Sequence, residues 1–274
     1  MLTTRRAFTQ SIASCLSRSP AECYDKYVAE TWTDEEPGEN LILGSMLHCM
    51  ALQPTEFGQK YGVRPRVDGR TKEGKAAIAA AEAAGPEVQW VKADLFDRAR
   101  ECMDALLGND WVEMLLTKAM TKAKVETFIE WELEGIRCGG TPDAVFTEGD
   151  LIIDLKTTKD ARPSEFAKSV ASFGYARQAA WYRYGCQQTY GMADSRFVFV
   201  VVKTSAPFEV AVYELDERAI ATGFDEMVQL CLEWKYRHTS GNWKANWQTG
   251  INTISLPRWY EMHKFSENEY EVEL

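Results

Sequence analysis

The sequence predicts an α/β fold with one mixed central β-sheet flanked by helices. Two observations predict it. The first hundred or so residues carry only helical patterning, and the period changes near residue 125 to the alternation of strands. From there the order runs β-meander, helix, β-hairpin, long helix, which suits a sheet covered by helices rather than a bundle or a sandwich.

The elements follow in chain order. Residues 6–29 read as helical, with Pro20 at the start of a second helix, where its missing N–H costs nothing. The acidic, Pro- and Gly-bearing stretch 33–40 is a loop. Residues 41–53 (LILGSMLHCMALQ) form a mostly apolar helix that Pro54 ends. A basic loop spans 61–71. Helices are expected near 72–84, over 87–107 behind Gly85-Pro86, and near 110–120. In 125–133, Thr127, Ile129, Trp131 and Leu133 alternate with Glu126, Phe128, Glu130 and Glu132, the pattern of a half-buried strand. Gly135 marks a turn. Strands 136–147 and 150–158 follow, joined by a hairpin turn at Glu148-Gly149-Asp150. A helix covers 162–190 with a break at Gly174, then strands 196–203 and 207–214, then a helix 216–237. Residues 240–274 look irregular. With no repeat and no low-complexity linker, the expectation is a single domain over 1–274, with 1–40 as a helical N-terminal extension.

Composition bounds the function. The 274 residues are 45% hydrophobic and 26% charged, ordinary for a globular chain. A net charge of −10 argues against a nonspecific nucleic-acid coat. Two segments are locally basic: 58–75 and 156–183 each carry six Lys/Arg against two acids. Seven cysteines without a CxxC spacing predict a reduced, cytoplasmic protein with no Cys-based zinc or iron–sulfur site. The start MLTTRRAF has no apolar stretch behind it to make an export signal, and no apolar run reaches membrane-spanning length.

The chemistry concentrates in GGTPDAVFTEGDLIIDLKTT. Side chains alternate along a strand, so Asp154 and Lys156 share one face, on the order of 6–7 Å apart along the chain. Leu151, Ile153 and Leu155 take the opposite face. The hairpin sets Asp143 alongside the start of the same strand, so that two carboxylates converge. Hard divalent cations take carboxylate and carbonyl oxygen, and a nearby Lys can orient or deprotonate water and balance phosphate charge. A bare DxK triplet is more often an exposed salt bridge; the paired PD…DxK spacing on a hairpin weighs against that.

This spacing resembles the PD-(D/E)xK nuclease signature. Further segments resemble its RecE-type exonuclease branch, the nuclease domain of exonuclease VIII, and more distantly lambda exonuclease. They are GSMLHCMALQPTEF (44–57), VETFIEW (125–131), GGTPDAVF (139–146), LIIDLKTTKD (151–160), YARQAAWY (175–182) and ISLPRWY (254–260). Each is weak alone; their joint order is specific. The resemblance implies that Asp143 and Asp154 ligate a metal with the Leu155 carbonyl, and that Lys156 positions the attacking water. It implies a ligand or supporting role for His48, a second acidic position at Glu126, and a site-lining QxxxY helix in Gln178 and Tyr182, with Tyr175 beside them. By sequence alone a lone His such as His48 is more often a core histidine, Glu126 is as readily a solvated strand residue, and Tyr175, Gln178 and Tyr182 are a core stripe with one polar member.

The function implied is Mg²⁺-dependent (Mn²⁺ substituting) 5′→3′ exonuclease action on linear double-stranded DNA in a bacterial or phage-infected cell. It would leave 3′ overhangs for a single-strand annealing partner, and a homo-oligomeric ring would thread the DNA past the two basic segments. The alternatives are an endonuclease, a single-strand-specific nuclease, or a catalytically silent DNA-binding module.

Overall fold

A computed structural model describes residues 6–85, 87–248 and 250–256. Two short helices, α1 (Gln10–Arg18) and α2 (Pro20–Tyr27), are capped by the Thr9 and Ser19 hydroxyls, and Pro20 opens the second. After a loop come α3 (Glu39–Leu52), a 3₁₀ turn (Pro54–Glu56), α4 (Phe57–Lys60), strand β1 (Tyr61–Val63) and α5 (Lys72–Ala84). Strand β2 (Gln89–Val91) and helices α6 (Ala93–Leu107) and α7 (Asp110–Lys122) complete the first half. The second half holds β3 (Lys124–Val125), β4 (Ile129–Leu133), β5 (Ile136–Gly140), β6 (Ala144–Phe146), β7 (Leu151–Thr158), α8 (Pro163–Phe173), α9 (Tyr175–Tyr190), β8 (Arg196–Lys203), β9 (Val210–Glu214) and α10 (Glu217–Ser240).

The central sheet has the order β3-β6-β7-β8-β9. Only β7 and β8 are parallel, so the sheet is mixed, as expected. Both faces are covered. Ile152, Phe197, Phe199 and Val201 pack with α1, α8, α9 and α10 around the buried Trp181 and Trp234. Ile153, Leu155, Val200 and Val202 face Leu47, Leu52, Cys102 and Leu116 of α3, α6 and α7. The N-terminal helices belong to the first of these cores: Phe8 and Leu16 are buried there, and the Phe8 ring meets Trp181 edge-on.

Three sequence expectations change. The run 125–133 is not one strand. Glu126 has φ +45°, which breaks it into β3, paired to β6, and β4, which forms a separate hairpin with β5. The run 136–147 likewise splits at Thr141-Pro142-Asp143, because Pro cannot donate to a ladder. The expected helix start at 87 is instead strand β2, which pairs with β1 inside the expected basic loop. Residues 257–274, including most of the ISLPRWY segment, lie outside the described residues.

Candidate active site

The break at Pro142 creates the site. In the β6–β7 register Ala144 faces Ile153, so Asp143 falls opposite Asp154, in the middle of β7 rather than at its start as expected. One step further, Pro142 would stand opposite Leu155 and has no N–H to offer its carbonyl. Side chains take over both backbone groups of Leu155. Its N–H donates to Asp143 Oδ2 at 2.7 Å, and its carbonyl accepts from His48 Nε2 at 2.6 Å. Helix α3 delivers His48 from one side of the sheet, while Leu47, Ala51 and Leu52 anchor that helix in the core.

His48 Nδ1 then faces two carboxylates, Asp143 Oδ2 at 3.3 Å and Glu126 Oε1 at 3.8 Å. Glu126 reaches this point because its left-handed backbone turns the chain out of β3; its N–H donates to the Asp143 carbonyl at 3.0 Å. The three side chains offer ligand atoms all within 4.8 Å of one another. An imidazole and two carboxylates beside a strand carbonyl are a donor set that fits a divalent metal ion.

Asp154 lies deeper. It is fully buried, Gln178 Nε2 donates to its Oδ1 at 2.9 Å, and its Oδ2 is ion-paired with Lys156. Both oxygens therefore have partners other than the triad, and Asp154 is not one of the three converging ligand groups. Gln178 of the expected site-lining helix satisfies its amide with this carboxylate. Tyr175 lies under the Lys156 ammonium, 4.8 Å from ring centroid to Nζ. Tyr182 is buried on the same helical face and packs so closely on Gly140 that a Cβ there would come within 2.5 Å of its ring. Trp131 and Trp181 are core residues.

Burial and charge set the protonation of the group. Burial lifts the Asp154 carboxyl and Asp143 adds to it; Lys156 and His48 oppose, leaving it at about 6. Burial pulls His48 down, but Asp143, Glu126 and Asp154 outweigh it and raise the imidazole to about 9. At neutral pH His48 is thus an imidazolium with one N–H on the Leu155 carbonyl and the other toward the carboxylates. Burial also opposes charge on Lys156, yet Asp154 and Asp143 hold its pKa above the usual lysine value. A lysine held cationic can orient water and neutralise phosphate; it is a poor base.

A cleft of about 440 Å³ opens onto His48, Glu126, Leu155 and Lys156. Its other walls include Asn40, Lys60 and Tyr61, which sequence did not single out; Lys60 carried no signal beyond a basic segment. That segment is not the free basic track expected. Lys60 pairs with Glu56, Arg64 with Glu82, Arg66 with Asp94 and Asp97, and Arg70 with Asp68. In the second segment Arg162, Lys168, Arg177 and Arg183 are paired with Asp160, Glu165, Glu226 and Glu217.

A broken β6–β7 hairpin bearing Asp143, Asp154 and Lys156, on a mixed sheet flanked by helices, defines a PD-(D/E)xK-like core. The chain belongs to the family of the PDDEXK-like domain of unknown function (DUF3799), whose model matches residues 10–237. Comparison with curated proteins finds no match. Among solved structures, a candidate exonuclease from Eubacterium rectale is similar with a TM-score of 0.60 at 14% identity, over 98% of this chain and 99% of that one. At that identity the likeness establishes the fold. A phage-related exonuclease from Haemophilus somnus 129PT is similar at 16% identity over 74% of this chain and 99% of that one, with a TM-score of 0.31, too low to add to the argument. No described helix is long and apolar enough to cross a membrane.

Proposed function

We propose that the chain is a divalent-metal-dependent exonuclease that degrades linear double-stranded DNA 5′→3′ and leaves 3′ single-stranded overhangs. The observation that carries this is the convergence of His48, Glu126 and Asp143 within 4.8 Å, beside the buried Asp154–Lys156 pair. His48, Glu126, Asp143 and the Leu155 carbonyl would hold Mg²⁺ or Mn²⁺; for Asp154 to join them, as the resemblance implies, Lys156 would have to release its Oδ2. The ion would supply Lewis acidity and positive charge at the scissile phosphate.

The chain's own residues do the rest. Lys156, cationic and seated over Tyr175, orients the attacking water and offsets charge building on the phosphate oxygens. Gln178 fixes the Asp154 carboxylate so that Lys156 stays aimed. Tyr182 keeps the QxxxY helix tight against Gly140, where the PD turn begins.

The 5′→3′ polarity, the 3′ overhangs, the ring-shaped homo-oligomer, the annealing partner and a role in recombination rest on the RecE-type motif order, and one nuclease domain spanning 1–274 rests on the absence of repeats and low-complexity linkers. Because most of the charges in the basic segments are ion-paired, DNA affinity would come from a few cations near the cleft, Lys156 and Lys159 among them. The test offers duplexes labelled at the 5′ or the 3′ end, and closed circles, with Mg²⁺ or EDTA. Release of 5′ mononucleotides with circles intact is expected. Cutting of circles would point to an endonuclease, digestion of single strands alone to a single-strand nuclease, and folded but inert protein to a silent module.

A further inference from the structure

Next to the metal cleft lies a second hollow of about 420 Å³, and the two share Asn40, Thr157 and Tyr175. Its floor is the end of β7 and its wall is α8. At the rim, Phe173 is 62% exposed. Gly174, at φ +69°, turns the chain between α8 and α9 and leaves Phe173 and Tyr175 on either side of the corner. Their ring centroids are 5.6 Å apart, and Tyr175 in turn lies 6.1 Å from the buried Phe166. The aromatic row thus runs from the Lys156 ammonium outward, ending in a ring whose outer face is open to solvent. An exposed phenylalanine costs solubility and contributes little to the core. Lys159 lines the same hollow and makes no ion pair among the described residues, while the carboxylates of Asp160 and Glu165 are neutralised by Arg162 and Lys168.

We infer that this hollow is a nucleobase subsite: Phe173 stacks an unpaired base of the strand being cut, next to the phosphate held at Lys156, and Lys159 meets the neighbouring phosphate. This rests on the DNA-cleaving reading of the adjoining cleft. Continuity with that cleft argues for the occupant, since the two hollows share Thr157 and Tyr175 and a strand whose phosphate reaches Lys156 can lay its next nucleotide over them. A flat apolar face takes any base, so the subsite would be tolerant of sequence. Stacking on one aromatic side chain contributes about 1–3 kcal/mol per base, which corresponds to roughly five- to a hundred-fold in affinity.

The test is a binding cycle that does not need cleavage. Duplexes with a short unpaired end, carrying a single abasic nucleotide at successive positions, are titrated with the protein in Ca²⁺ in place of Mg²⁺. The proteins are wild type, Phe173→Ala and Phe173→Trp, with circular dichroism confirming the fold. In wild type one abasic position should weaken binding about ten-fold. Phe173→Ala should bind intact DNA about ten-fold more weakly, with that position no longer mattering, and Phe173→Trp should restore both. Unchanged binding by Phe173→Ala, or position sensitivity that survives in it, overturns the subsite. Folded wild type that binds no DNA overturns the subsite and the nuclease reading together. The expected cycle with no cleavage in Mg²⁺ supports the subsite and sinks the nuclease reading alone.

Discussion

Asp143 Oδ2 accepts the Leu155 N–H at 2.7 Å, at the point where Pro142 leaves the edge of β7 without a partner strand. One carboxylate thereby does two things: it closes a backbone gap in the sheet and faces His48 and Glu126. Removing it leaves a buried amide unsatisfied, which costs about 1–3 kcal/mol. Asp143→Ala should therefore lose stability by that order in EDTA, read by urea denaturation, whereas Asp143→Asn keeps an acceptor and most of the stability. Both should lose metal binding by calorimetry. Equal stability of Asp143→Ala and wild type would remove the structural role.

Lys156 is the partner of a fully buried carboxylate, so its truncation is not a purely catalytic change. Breaking a buried ion pair from one side costs about 3–5 kcal/mol. Lys156→Ala should be visibly destabilised at pH 8, less so near pH 5, where Asp154 takes up a proton, and it should be inactive at both. Thermal melts at the two pH values check this; a pH-independent loss would contradict the buried-pair account.

His48 links metal binding to pH. Its pKa is raised to about 9, so at neutral pH a nitrogen must shed a proton before it can ligate. Metal affinity should rise as pH climbs toward 9, and calorimetry in buffers of different ionisation enthalpy should report proton release. His48→Asn should flatten both. The sign for the metal-free protein is opposite. A raised folded pKa contributes stability that is fully present below the unfolded value near 6.5 and is lost as pH rises through about 9.

Glu126 occupies a left-handed backbone with φ +45°. A side chain there costs about 1–2 kcal/mol relative to glycine. Glu126→Gly should be more stable than Glu126→Ala by about 1 kcal/mol in chemical denaturation, and both should bind metal more weakly. The reverse order of stability would show that the turn is not strained.

The sequence carried the site's composition better than its shape. Alternation placed Asp154 and Lys156 on one face, and the structure keeps them there, joined. The i, i+3, i+7 spacing of Tyr175, Gln178 and Tyr182 read as a stripe; Tyr175 meets Lys156, Gln178 meets Asp154, and Tyr182 packs on Gly140. What alternation could not show was the interruption of the ladder. Glu126 looked like Glu130 and Glu132 because a positive φ at a non-glycine residue leaves no mark in the pattern. Asp143 was legible as a ligand but not as the acceptor for Leu155, which depends on a register that a turn of unknown length sets. The basic segments misled for a related reason: Glu82, Asp94 and Asp97, which neutralise Arg64 and Arg66, lie on α5 and α6 and are joined to them only by folding. The Phe173-Gly174-Tyr175 corner was visible only as a helix break.

The central claim is that His48, Glu126, Asp143, Asp154 and Lys156 form a metal-dependent phosphodiesterase site. The most direct measurement is release of acid-soluble nucleotide from linear duplex DNA, with Mg²⁺ or EDTA, by wild type and by Asp154→Asn. Asp154→Asn keeps an oxygen for Gln178 and removes the charge paired with Lys156. The account predicts release by wild type in Mg²⁺ only, and at least a hundred-fold less from folded Asp154→Asn. Release undiminished by EDTA, or full activity of Asp154→Asn, would contradict it.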